Sequence, residues 1–128
     1  KRKSIDMNEK KKILIVEDEV ILSTWLRFQL EDEGYEVCGN FTTGEEAVEF
    51  VQNTIPDLIL MDIHLVGEID GIEAAKIITG KSNIPIIFMT GYEIPEVAKR
   101  TLKIKPVAYL SKPVNMWNLK PIFESIFS

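Results

Sequence analysis

The sequence is poor in several things, and each shortage excludes a class of protein. Cys38 is the only cysteine among 128 residues. No internal disulfide is possible, so a reducing compartment, the cytoplasm, is expected. Cys38 falls in an apolar, strand-like stretch and reads as a small hydrophobe. No apolar run approaches the ~18 residues of a membrane span, and the polar, basic opening KRKSIDMNEKK shows no signal-peptide pattern. Basic charge is also short, with a net charge of −5. That balance favours solubility and argues against the basic footprint of a nucleic-acid binder. Low-complexity tracts and solenoid repeats are missing, as is the G-x-x-x-x-G-K-[ST] loop of P-loop NTPases.

What remains is ordinary for one globular domain, 45% hydrophobic and 27% charged. Lys1 rather than Met opens the chain, consistent with a fragment. Residues 1–11 lack periodicity and read as a solvated tail or linker, leaving 12–128 as the domain. KILIVED is a short apolar run ending in acids. From Glu19 to Glu33, Leu22, Leu26 and Leu30 recur at helical spacing with Ile21, Trp25 and Phe28 beside them, and Gly34 ends the helix. YEVCGN reads as a strand. Thr43 with Glu46 three residues later is a capping-box pattern opening the next helix. DLILMD, IPIIFMTG and VAYLSKP read as strands, and GIEAAKIIT, PEVAKRTL and a segment from Asn115 to Phe127 as helices. Pro121 inside the last should remove a hydrogen bond or kink it, unless that helix begins near Asn118. Near-continuous apolar strands alternating with amphipathic helices predict an α/β domain with a doubly wound parallel sheet in three layers.

In an open parallel sheet, ligands bind beyond the carboxyl ends of the strands. Those ends carry Glu17 and Asp18, with Glu19 next, then Asp62, then Thr90 with Gly91, then Lys112 with Pro113. Their spacing fits two βα units, then one, then one. Carboxylates packed together repel, and a hard divalent cation with oxygen ligands relieves them. With a lysine as a point charge and a threonine donor, the set suits a phosphoryl group beside Mg2+. Asp62 is the natural nucleophile, as a carboxylate able to form an acyl phosphate. Gly91 leaves the backbone open to that group. Each acid alone reads equally well as a solvated loop residue; the conjunction in order and spacing makes the signal.

The motifs ILIVEDE, LILMDIHL…DG, IIFMTG and YLSKP resemble those of response-regulator receiver domains, the phosphoacceptor half of two-component signalling, over residues 12–127. The resemblance implies a flavodoxin-like (βα)5 fold with strand order 2-1-3-4-5. It implies that Asp62 accepts phosphate from the phosphohistidine of a sensor histidine kinase or phosphotransfer protein. It assigns Mg2+ to Asp18, Asp62, Glu17 (through water) and the backbone carbonyl of His64. Lys112 and Thr90 would contact the phosphoryl group, as would the backbone of His64 and Gly91. Thr90 and Tyr109 would switch together and change the surface of the fourth helix, fifth strand and fifth helix, a surface for partners or a homodimer. His64 and Tyr92 occupy positions that tune dephosphorylation. Neither is an acid or amide able to orient water, so a long-lived phosphoaspartate is expected. The implied partners are proteins, with no direct nucleic-acid or membrane contact, and no enzymatic activity beyond chemistry at its own aspartate.

The chain departs from the common pattern in places. The segment from Asp62 to DG is one residue longer than usual, and Val66 stands where proline is common. LVGEIDGIEAA resembles instead a pattern found in receivers in or beside sensor histidine kinases and PAS modules. Lys105-Pro106 replaces the family's usual Gly-Ala. The only histidine, His64, reads first as a loop residue rather than a phosphohistidine or imidazole ligand. Trp25 reads as core, and Trp117 as either packed or exposed on a partner face. Lys99, Arg100, Lys103 and Lys105 form a basic stretch that reads as a solvated face or a dock for an acidic partner. Two rival readings stand beside the switch: a receiver-like binding module without phosphate chemistry, and a Mg2+-dependent phosphohydrolase with an Asp nucleophile. The first typically loses the acceptor or its partners, all present here. Many of the second carry another Asp two residues on, where this chain has His64.

Overall fold

The computed structural model describes residues 9–91 and 94–128; the tail expected at 1–11 lies largely outside them, as does Tyr92. Ten elements alternate along the chain: β1 (Lys12–Val16), α1 (Val20–Asp32), β2 (Glu36–Phe41), α2 (Gly44–Phe50), β3 (Leu58–Asp62), α3 (Gly71–Thr79), β4 (Ile86–Thr90), α4 (Ile94–Arg100), β5 (Ala108–Ser111) and α5 (Met116–Phe127). All strand pairs are parallel, and the order is β2-β1-β3-β4-β5. This is the doubly wound, flavodoxin-like α/β fold the sequence predicts.

The period-2 alternation of a strand sorts its side chains into two apolar layers. Leu14, Val16, Ile59, Met61, Ile86 and Phe88 face α2, α3 and α4, where Ala47, Ile72, Ala75, Ile78 and Val97 meet them. Ile13, Ile15, Leu58, Leu60, Ile87 and Met89 face α1 and α5, against Leu26, Leu30, Leu119 and Phe123. Because β3 and β4 are buried along their whole length, their last residues, Asp62 and Thr90, are held by packing on both faces.

Caps fix the helix starts. Thr43 and Glu46 form the expected capping box on α2. Asp70 and Glu73 form a second on α3, and the Asn115 side chain accepts from the Asn118 N–H at the start of α5. One reading needs correction. Trp25 is not core but 56% exposed. The inward stripe of α1 is Ser23, Leu26 and Leu30, whereas Ile21, Trp25 and Phe28 lie on the outward face; an apolar outer face hides which stripe is the inner one. α5 runs from Met116 to Phe127 with Asn115 as its N-cap, as the sequence predicts, so Pro121 lies inside it and the Trp117 carbonyl loses its i+4 donor. Trp117 itself is 89% exposed.

Gly71 closes the β3–α3 loop at its base. Its N–H donates to the Ile63 carbonyl at 2.8 Å. A Cβ there would stand 2.0 Å from the Asp62 carbonyl oxygen. Neither backbone can yield without moving Asp62, which is why DG ends the loop. Gly71→Ala is therefore expected to destabilise the fold by about 3 kcal/mol or more, at or beyond the usual cost of overpacking. Urea denaturation of the variant beside wild type measures this, and an unchanged midpoint would contradict the close approach.

Candidate phosphoacceptor site

Asp62, the last residue of β3, is 1% exposed. Its Oδ1 accepts from the His64 N–H at 3.3 Å, and its Oδ2 lies 3.2 Å from Lys112 Nζ. Glu17 follows β1 and is 2% exposed. Its backbone N–H donates to Phe41 O on β2 at 2.9 Å, and its Oε1 lies 3.1 Å from Lys112 Nζ. The ammonium is brought there from β5: the Lys112 N–H donates to the Thr90 carbonyl at 2.8 Å, which fixes the start of the side chain at the end of β4. Thr90 is fully buried, while Gly91 beyond it has open space around the position a Cβ would take. Asp62, His64, Gly91 and Lys112 share one cavity of about 450 Å³ with Glu19, Leu22 and Pro113.

The chain thus brings together Glu17, Asp62, Thr90, Gly91 and Lys112, which are remote in sequence. Asp18 joins them: one carboxylate oxygen each from Glu17, Asp18 and Asp62 lie within 4.8 Å of one another. An all-oxygen, anionic donor set of this kind fits a hard divalent cation such as Mg2+. His64 is exposed at the cavity rim, so its backbone is near Asp62 while its side chain faces outward. Tyr109 is half-buried, stacked on Phe88 with centroids 6.1 Å apart, and its hydroxyl bonds to Thr101 Oγ1. Thr101 is buried just past α4 and also donates to Val97 O at 3.2 Å. The proposed switch tyrosine is thereby tied to α4.

Several contacts were not read from the sequence. Glu19 reaches Lys112 at 3.2 Å. Arg100, seen only as part of a basic run, pairs with Asp70 at 2.7 Å, joining α4 to the cap of α3. The longer β3–α3 loop is held by Glu45, whose Oε2 accepts from the Glu68 N–H at 2.7 Å, and by a bridge between Thr43 and Val66. Gly67, at φ 107°, lets the loop turn against that carboxylate. The Glu46–Thr43 spacing was a visible signal for the α2 cap; nothing local in sequence announces pairs such as Glu45–Glu68 or Arg100–Asp70.

Burial pushes the Glu17 carboxyl up to about 7, with the Asp62 charge adding and the Lys112 ammonium opposing. Burial also raises Asp62, against the pull of Lys112. Burial alone would lower Lys112, but its hydrogen bond to Glu17 and the Asp62 charge push it well above the usual lysine range. The ammonium stays charged, while the Glu17 carboxyl retains a proton toward neutral pH.

Comparison with known proteins identifies the family. Residues 13–124 match the family described as response regulator receiver domain, and the chain belongs to it. It is similar to the transcriptional regulatory protein PdtaR of Mycobacterium tuberculosis, 36% identical over 114 residues, 89% of this chain and 55% of that protein. ZraR of Escherichia coli, also a transcriptional regulatory protein, is 35% identical over 113 residues, 88% of this chain and 25% of that protein. The chain therefore spans about half or less of these relatives. Among solved structures, the signal receiver domain of a modulated diguanylate cyclase from Desulfovibrio desulfuricans is 40% identical with a TM-score of 0.84, covering 92% of this chain and 94% of that one. The N-terminal domain of a response regulator/sensory box/GGDEF protein from Carboxydothermus hydrogenoformans is 37% identical with a TM-score of 0.81, covering 91% and 93%. Receivers are signalling domains that work with histidine kinases or phosphotransfer proteins. Among the described residues no helix is long and apolar enough to cross a membrane.

The raised Glu17 carboxyl has a measurable consequence. Between about 4.5 and about 7 the folded protein binds more protons than the unfolded chain, so metal-free stability should fall as pH rises through that window. The full loss is about 3 kcal/mol at most. Urea unfolding in chelator at pH 5 and pH 7.5 tests it. Glu17→Gln should flatten the slope; a stability that instead rises across the window would refute the assignment.

Proposed function

We propose that this domain is a phosphorylation switch in which Asp62 accepts a phosphoryl group from the phosphohistidine of a sensor histidine kinase or phosphotransfer protein. The observation that carries the reading is a nearly inaccessible carboxylate that still opens on a cavity, 3.2 Å from a lysine ammonium. In the transfer, an Asp62 oxygen forms the new O–P bond as the P–N bond to the donor imidazole breaks, and the nitrogen keeps the bonding pair. Lys112 meets the phosphoryl oxygens, and the His64 and Gly91 backbones border the space they enter. Asp18, Asp62, Glu17 and the His64 carbonyl are the groups to hold Mg2+, which when bound neutralises charge on the transferring phosphoryl group.

The response is a shift between two arrangements. Thr90 turns to the phosphoryl group, and Tyr109 follows, exchanging its Thr101 contact for a new position. Because Thr101 adjoins α4, that exchange would alter the α4–β5–α5 surface, where a partner or a second copy binds. Phosphate biases the equilibrium only by its differential contacts with the two states. Val20, Ile21, Trp25 and Phe28 are exposed on α1, whose first turn supplies Leu22 to the cavity wall. This apolar face supports docking of the phosphodonor protein, since a donor histidine reaching Asp62 must lie over it. The acidic chain favours protein partners over nucleic acid, and a cytoplasmic setting fits its cysteine usage.

Incubation with acetyl phosphate and Mg2+ should yield one phosphoryl adduct on wild type and none on Asp62→Asn, read by intact mass. No adduct under any condition would favour a binding module; steady turnover of many phosphoesters would favour a hydrolase. After removal of the donor with Mg2+ retained, the adduct should persist; its loss during desalting would overturn the expectation of a long lifetime. Trp25→Ala should slow transfer from a phosphorylated histidine phosphotransfer protein roughly tenfold or more, as for an interface aromatic, and leave the acetyl phosphate rate unchanged. Equal slowing with both donors would exclude α1 as the docking face.

A further inference from the structure

Glu19 occupies the N-cap of α1, yet its side chain makes no capping hydrogen bond. Its N–H donates to Glu17 Oε2 at 3.0 Å, and its own carboxylate turns to Lys112 at 3.2 Å. The ammonium thereby has three carboxylate partners, Glu17, Glu19 and Asp62, at 3.1, 3.2 and 3.2 Å. Glu17 and Asp62 accept hydrogen bonds from the ammonium, whereas Glu19 holds it as an ion pair alone.

The three holders are not equivalent. The side chains of Glu17 and Asp62 are 3% and 2% exposed, whereas that of Glu19 is 62% exposed. A buried carboxylate that leaves its cation is stranded out of water. An exposed one is rehydrated, and the exchange costs little. A phosphoryl group entering over Asp62 brings charged acceptor oxygens to the same ammonium. Of the three holders Glu19 yields most readily, being exposed and held as an ion pair alone. It also lines the cavity through which an anionic donor enters.

We propose that Glu19 is a positioning residue that holds Lys112 at rest and competes with the incoming phosphoryl group for it, setting how tightly the site takes an anionic phosphodonor. This rests on Asp62 being the phosphoacceptor. Glu19 acts through Lys112 and forms no bond to phosphorus.

The test measures the rate of adduct formation against acetyl phosphate concentration at saturating Mg2+. Glu19→Gln should lower the half-saturating concentration roughly two- to fivefold, the scale of an exposed ion pair, with the maximal rate unchanged. A merely structural role would move the maximal rate or the melting temperature instead. Glu49→Gln, on the exposed face of α2, removes the same charge far from the cavity and should change nothing. Glu19→Asp keeps a charge at the mouth but shortens the reach, and should resemble Glu19→Gln. An unchanged half-saturation in Glu19→Gln, an equal drop in Glu49→Gln, or wild-type behaviour in Glu19→Asp would each overturn the proposal. Should wild type take no adduct, the reading of Asp62 fails by itself. The proposal is then judged by titrating inorganic phosphate and following the Lys112 side-chain NMR signals. Saturation at lower phosphate in Glu19→Gln supports it; equal saturation overturns it.

Discussion

One half-buried ammonium reconciles the demands of this site. Glu17 and Asp62 are nearly sealed from water, carry the same charge and stand at the ends of neighbouring strands. Left alone they would repel one another and protonate. Lys112 arrives from the far side of β4, lies between them, and keeps both within reach of one cavity. The sheet edge depends on that cation, and the cation depends on the sheet: its backbone is fixed by the Thr90 carbonyl, and Thr90 is fixed by packing on two faces. Chemistry and core are thus coupled through a few backbone bonds.

The same coupling gives the site a route outward. Phe88 in β4 stacks on Tyr109 in β5, and Tyr109 bonds to Thr101 beside α4. Phe88, two residues before the end of β4, is therefore linked through Tyr109 to the end of α4. The bond joins a buried hydroxyl to a half-buried one rather than two charges, so it is a modest interaction.

Much of this was legible in the sequence because the relevant signals are local and periodic. Ile59–Met61 and Ile86–Met89 are apolar runs bounded by turns, and the residue after each run, Asp62 or Thr90, stands at the sheet edge where the candidate site lies. Thr43 with Glu46, and Gly34 after Glu33, marked helix ends correctly. Illegible features depend on the third dimension. Trp25 lies outward because α1 offers two apolar stripes and only Ser23, Leu26 and Leu30 meet the sheet. Arg100 looked like one more solvated cation until Asp70, 30 residues earlier, was found beside it. Glu19 looked like a spare acid at a helix start, and only its approach to Lys112 distinguishes it from Glu31 or Glu33.

The hydrogen bond from Gly71 to Ile63 separates two kinds of evolutionary freedom. It ties off the β3–α3 loop at its neck, one residue past Asp62, while Glu45 and Arg100 hold the loop from either flank. Length added between the two tied residues bulges toward solvent instead of pushing on the strand. A lineage can therefore lengthen or rewrite LVGEI to acquire a new recognition surface while the aspartate a few ångströms below stays where it was.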